Sequence, residues 1–281
     1  MNQQIASSAA VPSSAQVGPF CVIGENVVLG EKVVLGVGCV LGAGAKVGAG
    51  SELGNYVTLG SGAELGERSR VGDHSTIYPH ASLGEDGFVG SSSSIGRSPK
   101  AAATSTVKVQ ADLPPLKMGD GYTVGCSAVL YAGTTYGDKA FIGDGAVVRE
   151  RCTIGQNVVI GSGVAVENDT KIGSYTKIQT GSYITAYMEI EERVFIAPMV
   201  TTTNDNYMGR TEKRFKAIKG ATIRKGARIG GAAILLPGVK VAPETFVAAG
   251  ALVTKDTAEK HVLKGFPARE VREVPEDELL P

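Results

Sequence analysis

The chain has 281 residues, and its 28 Lys and Arg balance its 28 Asp and Glu. That balance removes any global electrostatic drive toward nucleic acid or an anionic membrane surface, and no window approaches the roughly 20 apolar residues of a spanning helix. The opening MNQQIASSAAVPSSAQ has neither the basic start nor the apolar core of a signal peptide, so a cytoplasmic protein is expected.

From Val17 an aliphatic residue followed by a small one returns every six residues, through Ile23, Leu29, Leu35, Leu41 and onward to Val89 and Ile95; Ile5 and Val11 extend the phase backwards. This period matches neither the 3.6 of a helix nor the alternation of a half-buried strand, and describes a solenoid of short strands joined by corners. Two places before each aliphatic residue stands a small or β-branched one, as at Cys21, Val27, Val33, Cys39 and Ala45. One large and one small inward side chain per hexad suits a narrow tube. Glycine after the aliphatic residue, as at Gly18, Gly24 and Gly30, suits a tight corner. Cys21, Cys39 and Cys152 fall in the small inward phase and read as reduced core thiols; with no CxxC in the chain, a structural zinc site has no support.

The phase lapses after Ile95. Ser91 to Ser94, Pro99 and the Pro114-Pro115 pair mark a loop or linker, either a spacer between two blocks or an excursion that leans over a neighbouring subunit. A second array runs from Met118 to Thr202 in its own phase, and a third from Ile223 to Val253. The expected division is a block over 1–96, the linker 97–117, a second block over 118–262 interrupted by a polar loop at 203–221, and a cap over 263–281 that covers the last strand edges.

The repeat of aliphatic, Gly, two free positions, small, one free position resembles the hexapeptide-repeat family. By that resemblance the fold is all-β, a left-handed parallel β-helix in which three hexads close one triangular coil and residues 18 apart stack. The stretch VFIAPMVTTTNDNYMGR, 194–210, resembles the segment that introduces the active-site loop of β-helical N-acyltransferases acting on nucleotide-linked amino sugars. The resemblance implies that Asn204 positions the acceptor amine, with Asp205 beside it. Arg149, Glu167, Thr185 and Thr203 replace the corner residue at intervals of 18 and lead to Asn204, which adds Glu167 to the catalytic candidates; the alternative is an exposed Arg-Glu pair of little consequence. Downstream, RIGGAAILLPGVKVAPETFVAAGALVTKD and GFPAR resemble the coenzyme A end of hexapeptide acyltransferases, where pantetheine lies between two subunits of a trimer. Ala233 and Ala251, with Gly231 just ahead, then match the small positions beside the groove, and Lys255 and Arg269 the basic residues near the phosphates. The two alanines also suit simple corner filling.

His74, His80 and His261 all lie away from Asn204 in the coil count, so a histidine base is not expected. The amino-sugar branch often carries Glu one coil before the loop asparagine, where this chain has Ala186. Either Asp205, Glu189 or Glu167 takes that role, or the amine arrives neutral and its proton leaves with the thiolate. The expected function is a homotrimeric N-acyltransferase that uses acyl-CoA (acetyl-CoA or a longer one) and a nucleotide-linked dideoxy amino sugar of surface glycan biosynthesis, with no metal. Acceptors such as an amino acid or another small amine are the enzymatic alternative. A zinc carbonic anhydrase of this fold needs three close histidines, which the chain does not supply, and a non-catalytic scaffold would not bind acyl-CoA.

Overall fold

The computed structural model describes residues 3–103, 110 and 112–280; part of the linker expected at 97–117 therefore lies outside the described residues. Two-residue strands recur at the hexad period, for example Val22–Ile23, Val28–Leu29 and Val34–Leu35. Each pairs in parallel with the strand 18 residues on, Ile23 with Leu41, Leu29 with Val47 and Leu35 with Leu53. Successive strands thus belong to three different sheets, and the fold is the left-handed parallel β-helix. Residues 1–151 and 152–281 form two compact units, each built in this way.

In the first unit Ile23, Leu41, Leu59 and Ile77 are at most 2% exposed, and the small phase (Cys21, Val27, Ala45) is fully buried. In the second, Ile160, Ile178, Ile184 and Ile196 fill the same role. Where the small position is polar it is satisfied within the tube, as a dry interior demands. The Ser51 hydroxyl donates to the Gly66 carbonyl (2.8 Å) and Ser75 to Gly90 (2.9 Å); in the second unit Thr176 donates to Glu191 (2.8 Å) and Ser182 to Ala197 (3.0 Å). Cysteine substitutes in this pattern: the Cys39 Sγ lies 3.0 Å from the Gly54 carbonyl, and burial pushes its thiol up to about 11. Cys21, Cys39 and Cys152 are buried free thiols, whereas Cys126 is exposed.

The corners carry a second ladder. The Asp73 carboxylate accepts from the Asn55 N–H (2.7 Å), and the Asn55 Oδ1 accepts from Val37 N–H one coil further down (2.9 Å). Asp138 and Asp144 repeat this on Asp120 and Cys126. The glycine below makes room, since a Cβ on Gly54 would sit 2.2 Å from the Asp73 Oδ1.

The first and second arrays stack on each other across the excursion. Leu83 pairs with Met118, Val89 with Val124 and Ile95 with Leu130, all in parallel, so partners such as Glu85 and Asp120 stand 35 residues apart instead of 18. Just beyond, Tyr122 occupies a small inward position and is 1% exposed. Its ring fits because Gly87 lies beneath it; a Cβ there would be 1.9 Å from the phenol Cζ.

In the second unit the coil opens after strand Thr201–Thr202 and resumes at Thr222–Ile223. The excursion contains one helical turn, Arg214–Ala217, that the sequence pattern did not signal. At the end, His261–Lys264 adds in parallel to Phe246–Val247, and Arg269–Glu273 folds back antiparallel on it. This hairpin, 261–273, overlaps the stretch expected as a cap. A turn of 3-10 helix follows at Glu276–Glu278 and is tied to the coil by Arg228, whose guanidinium is 2.9 Å from Glu278 and stacks over Phe246 at 5.0 Å.

Candidate active site

The loop at 203–221 leaves the coil beside a cleft of about 430 Å³ lined by Tyr183, Thr185, Thr202, Thr203, Asn204, Asp205, Asn206, Met208, Leu236 and Pro237. Two sides differ in chemistry. Hydroxyls and amides come from the strand and the loop start, and an apolar wall comes from Met208, Leu236 and Pro237. Asn204, the expected amine-positioning residue, is held at the loop's neck: its carbonyl accepts from the Lys219 N–H (3.0 Å), so both ends of the excursion are joined there. Its Nδ2 donates to the Ala186 carbonyl one coil below at 3.3 Å, which leaves Oδ1 as the accepting end of the amide.

Asp205 has a different task. Its carboxylate accepts from the Gly209 N–H (2.9 Å) and the Tyr207 N–H (2.8 Å), and the Arg214 guanidinium sits 3.0 Å away. These donors, the backbone N–H groups first and Arg214 after them, hold its pKa below the usual carboxylate range. A carboxylate so engaged organises the turn and is a weak base.

A second cleft, about 400 Å³, is lined by Val253, Thr254, Lys255, Asp256, Leu263, Ala268, Arg269 and Glu270. It brings together Lys255 and Arg269, which stand 14 residues apart in sequence on the coil and on the cap hairpin. The two acids in its wall are engaged with backbone: Asp256 accepts from Lys240 N–H (2.8 Å) and Glu270 from Ala258 N–H (3.3 Å). The cationic pair is therefore the part of the cleft suited to phosphate. Both clefts sit on one sheet: Thr202 pairs with Leu235, Leu235 with Val253, and Leu236 N–H donates to the Val253 carbonyl (3.1 Å).

The other expected site residues are placed as follows. Glu167 is one coil below Thr185 in the second unit, its N–H on the Ile184 carbonyl (2.8 Å), and is not among the residues lining the Asn204 cleft. Arg149 belongs to the first unit, where it binds the fully buried Glu150 (2.8 Å) and stacks over Tyr131 at 5.1 Å. Gly231 is a corner residue whose carbonyl accepts from Gly250 N–H (2.9 Å). Ala233 and Ala251 fill the tube at 0% and 1% exposure, and their N–H and C=O groups are engaged within the coil; neither lines the Lys255 cleft. His74 stacks on Tyr56 (5.3 Å) and the His261 Nδ1 contacts the Glu259 carbonyl (2.7 Å); neither histidine is among the residues lining the two clefts. Among the described residues no group of three or more His, Cys, Asp or Glu is arranged to hold a metal ion, and no helix is long and apolar enough to cross a membrane. Sequence reasoning missed the apolar wall of Met208, Leu236 and Pro237 and the place of Thr202 in the cleft lining; the available signal for the latter was a threonine standing in the aliphatic phase.

The family model described as bacterial transferase hexapeptide (six repeats) matches residues 133–168 and 151–186 of this chain. Over 94 residues the chain is 32% identical to a Saccharomyces cerevisiae protein described as a candidate acetyltransferase, which covers 32% of this chain and 48% of that protein. The match thus spans about half the length of this curated relative. Among solved structures, a perosamine N-acetyltransferase variant from Caulobacter crescentus in complex with CoA and GDP-perosamine is similar at 21% identity, over 54% of this chain and 57% of the other, with a TM-score of 0.39. A UDP-N-acetylglucosamine acyltransferase from Campylobacter jejuni is similar at 15% identity over 96% and 75% of the two chains, with a TM-score of 0.33.

Proposed function

We propose that the chain is an acyl-CoA-dependent N-acyltransferase whose acceptor is the amine of a nucleotide-linked amino sugar, working in the cytoplasm as a homotrimer. One observation carries the reading: a polar cleft at Asn204 and a cationic cleft at Lys255 and Arg269 lie two strand steps apart on one sheet. Lys255 and Arg269 hold the coenzyme's phosphates, and the acyl thioester reaches along the sheet toward Asn204. The hydroxyl-rich side of the Asn204 cleft suits a sugar ring, and the apolar side suits its deoxy carbons or the acyl group.

Transfer needs a neutral amine within about 3–3.5 Å of the thioester carbonyl. Asn204 Oδ1 orients that amine by accepting one N–H. Attack forms the C–N bond and a tetrahedral oxyanion; the C–S bond then breaks, and the ammonium proton passes to the departing thiolate. Asp205 acts by shaping the loop, and Glu167 supports the coil under Thr185. The test is calorimetric titration with CoA and acetyl-CoA, followed by thiol release against a panel of nucleotide-linked amino sugars. Saturable binding with release on one sugar is expected, and Asn204→Ala should lower kcat by about 10-fold or more. A protein that binds neither acetyl-CoA nor longer acyl-CoAs is a scaffold instead.

A further inference from the structure

A third cleft of the second unit lies on the sheet of Lys177–Ile178 and Phe195–Ile196, which pair in parallel with Lys177 against Phe195. The strands of the Asn204 cleft, Thr201–Thr202 and Ile234–Leu235, belong to a different sheet. This third cleft encloses about 540 Å³ and is lined by Asn157, Tyr175, Lys177, Arg193, Val194 and Phe195, a size within the roughly 300–1,000 Å³ of small-molecule sites. Two successive coils each set a ring and a cation into it, Tyr175 with Lys177 and then Phe195 with Arg193. No Asp or Glu stands in the lining, and among the described residues neither Lys177 nor Arg193 makes an ion pair. The cations of the next coil are neutralised instead: Lys225 pairs with Glu192 and Arg228 with Glu278, each at 2.9 Å.

The two rings differ in what they offer. The Arg193 guanidinium lies over Tyr175 at 5.1 Å, and Gln156 Nε2 donates to the Tyr175 hydroxyl at 3.4 Å. A guanidinium stacked in this way is oriented while its N–H edge stays available to an anion. Phe195 is 40% exposed, and among the described residues no ring or cation is stacked on it. A simple anion would use the cations and leave Phe195 idle; a neutral aromatic would do the reverse. We infer that the cleft binds a nucleoside diphosphate, with the base stacked on Phe195, the two phosphates on Arg193 and Lys177, and the Asn157 amide offering a donor and an acceptor to the ribose. This site goes beyond the acyltransferase reading and does not rest on it. Its ligand is either a free nucleotide or the nucleotide half of a nucleotide-linked sugar.

Calorimetric titration of the full chain at low salt with UDP, GDP and dTDP, whose bases are absent from coenzyme A, tests this against pyrophosphate. At least one diphosphate should bind saturably, and about 10-fold or more tighter than pyrophosphate. Arg193→Gly removes the guanidinium at a left-handed corner (φ 57°) that takes glycine on the next coil, at Gly226 (φ 70°), so the fold should be kept while nucleotide binding falls about 10-fold. Lys177→Ala should act alike, and Phe195→Ala should cost about 5-fold or more. Lys255→Ala should leave nucleotide binding unchanged, and Arg193→Gly should leave acyl-CoA binding unchanged. The KM for a nucleotide-linked amino sugar separates the two sources: it rises in Arg193→Gly when the nucleotide is the acceptor's own and keeps the parent value when the ligand is free nucleotide. Absence of saturable binding by all three diphosphates, pyrophosphate binding as tightly as they do, or nucleotide binding retained in Arg193→Gly overturns the proposal. None of those results touches thiol release, and a chain that releases no thiol can still bind the diphosphate here, so the two readings fail separately.

Discussion

Gly87→Ala offers a sharp test of how the tube is filled in the first unit. The added Cβ would stand 1.9 Å from the Tyr122 Cζ and 2.4 Å from its hydroxyl oxygen, so the ring must withdraw by about 1.6 Å to regain ordinary carbon contact. Tyr122 is 1% exposed and has no solvent to move into. Overpacking of a rigid core typically costs about 1–3 kcal/mol, and this site belongs at the upper end. Valine fills the equivalent position at Val158 and Val194. In a Tyr122→Val background the same alanine meets open space and should be neutral or gain about 0.5–1 kcal/mol through the lost flexibility of glycine. Tyr122→Val alone leaves a void over Gly87 and should cost about 2–4 kcal/mol. The four proteins therefore form a cycle with a coupling of about 2–4 kcal/mol, read from urea midpoints by circular dichroism. Equal cost of Gly87→Ala in both backgrounds would refute the claim that tyrosine and glycine fit each other.

Two further outcomes concern the clefts. Lys255→Ala should weaken acyl-CoA binding about 5–10-fold at low salt and less at high salt, where a Debye length of ~3 Å screens the contact; identical calorimetric affinities would dismiss Lys255 as a phosphate ligand. The Asp205 carboxyl is held below its ordinary range by the Gly209 and Tyr207 N–H groups and by Arg214. A carboxylate depressed in this way contributes its full stabilisation above the unfolded pKa of about 3.9 and loses it as pH falls through the lower folded value. Between pH 5 and 9, kcat/KM should therefore carry no Asp205 ionisation, and Asp205→Asn should lower turnover without moving the profile. An acid limb near pH 6 that disappears in the asparagine variant would make Asp205 the base.

The sheets were legible because their rule is local: an aliphatic residue every sixth place, as from Ile23 to Ile95, leaves each side chain one way to face. The loop at 203–221 was legible as an interruption of the hexads. What escaped was anything decided by a neighbour one coil away. Tyr122 is a conflict in the pattern until Gly87 is found beneath it. Arg269 joins Lys255 at the level of sequence only through the resemblance of GFPAR; the antiparallel return that puts both on one cleft is not encoded in the hexad period. The carboxylates at Asp73 and Asp138 each accept a backbone N–H from the coil below, a contact the hexad period does not signal. Ala233 and Ala251 have the right size for a groove and the right phase for the core, and the fold puts them in the core.

The stacking of Leu83 on Met118 bears on how such a chain is inherited. The ladder registers only which hexad follows which; the residues between Ile95 and the next strand are not counted. A gene encoding this chain can therefore gain or lose sequence at a corner without shifting any downstream residue to the wrong face, and can duplicate 18 codons, the spacing of the corner contacts, to add one complete coil. In most folds an insertion must be accommodated by everything around it. Here it is met by two neighbouring coils, which leaves recombination at corners a ready source of loops such as 203–221 and of the clefts that form beside them.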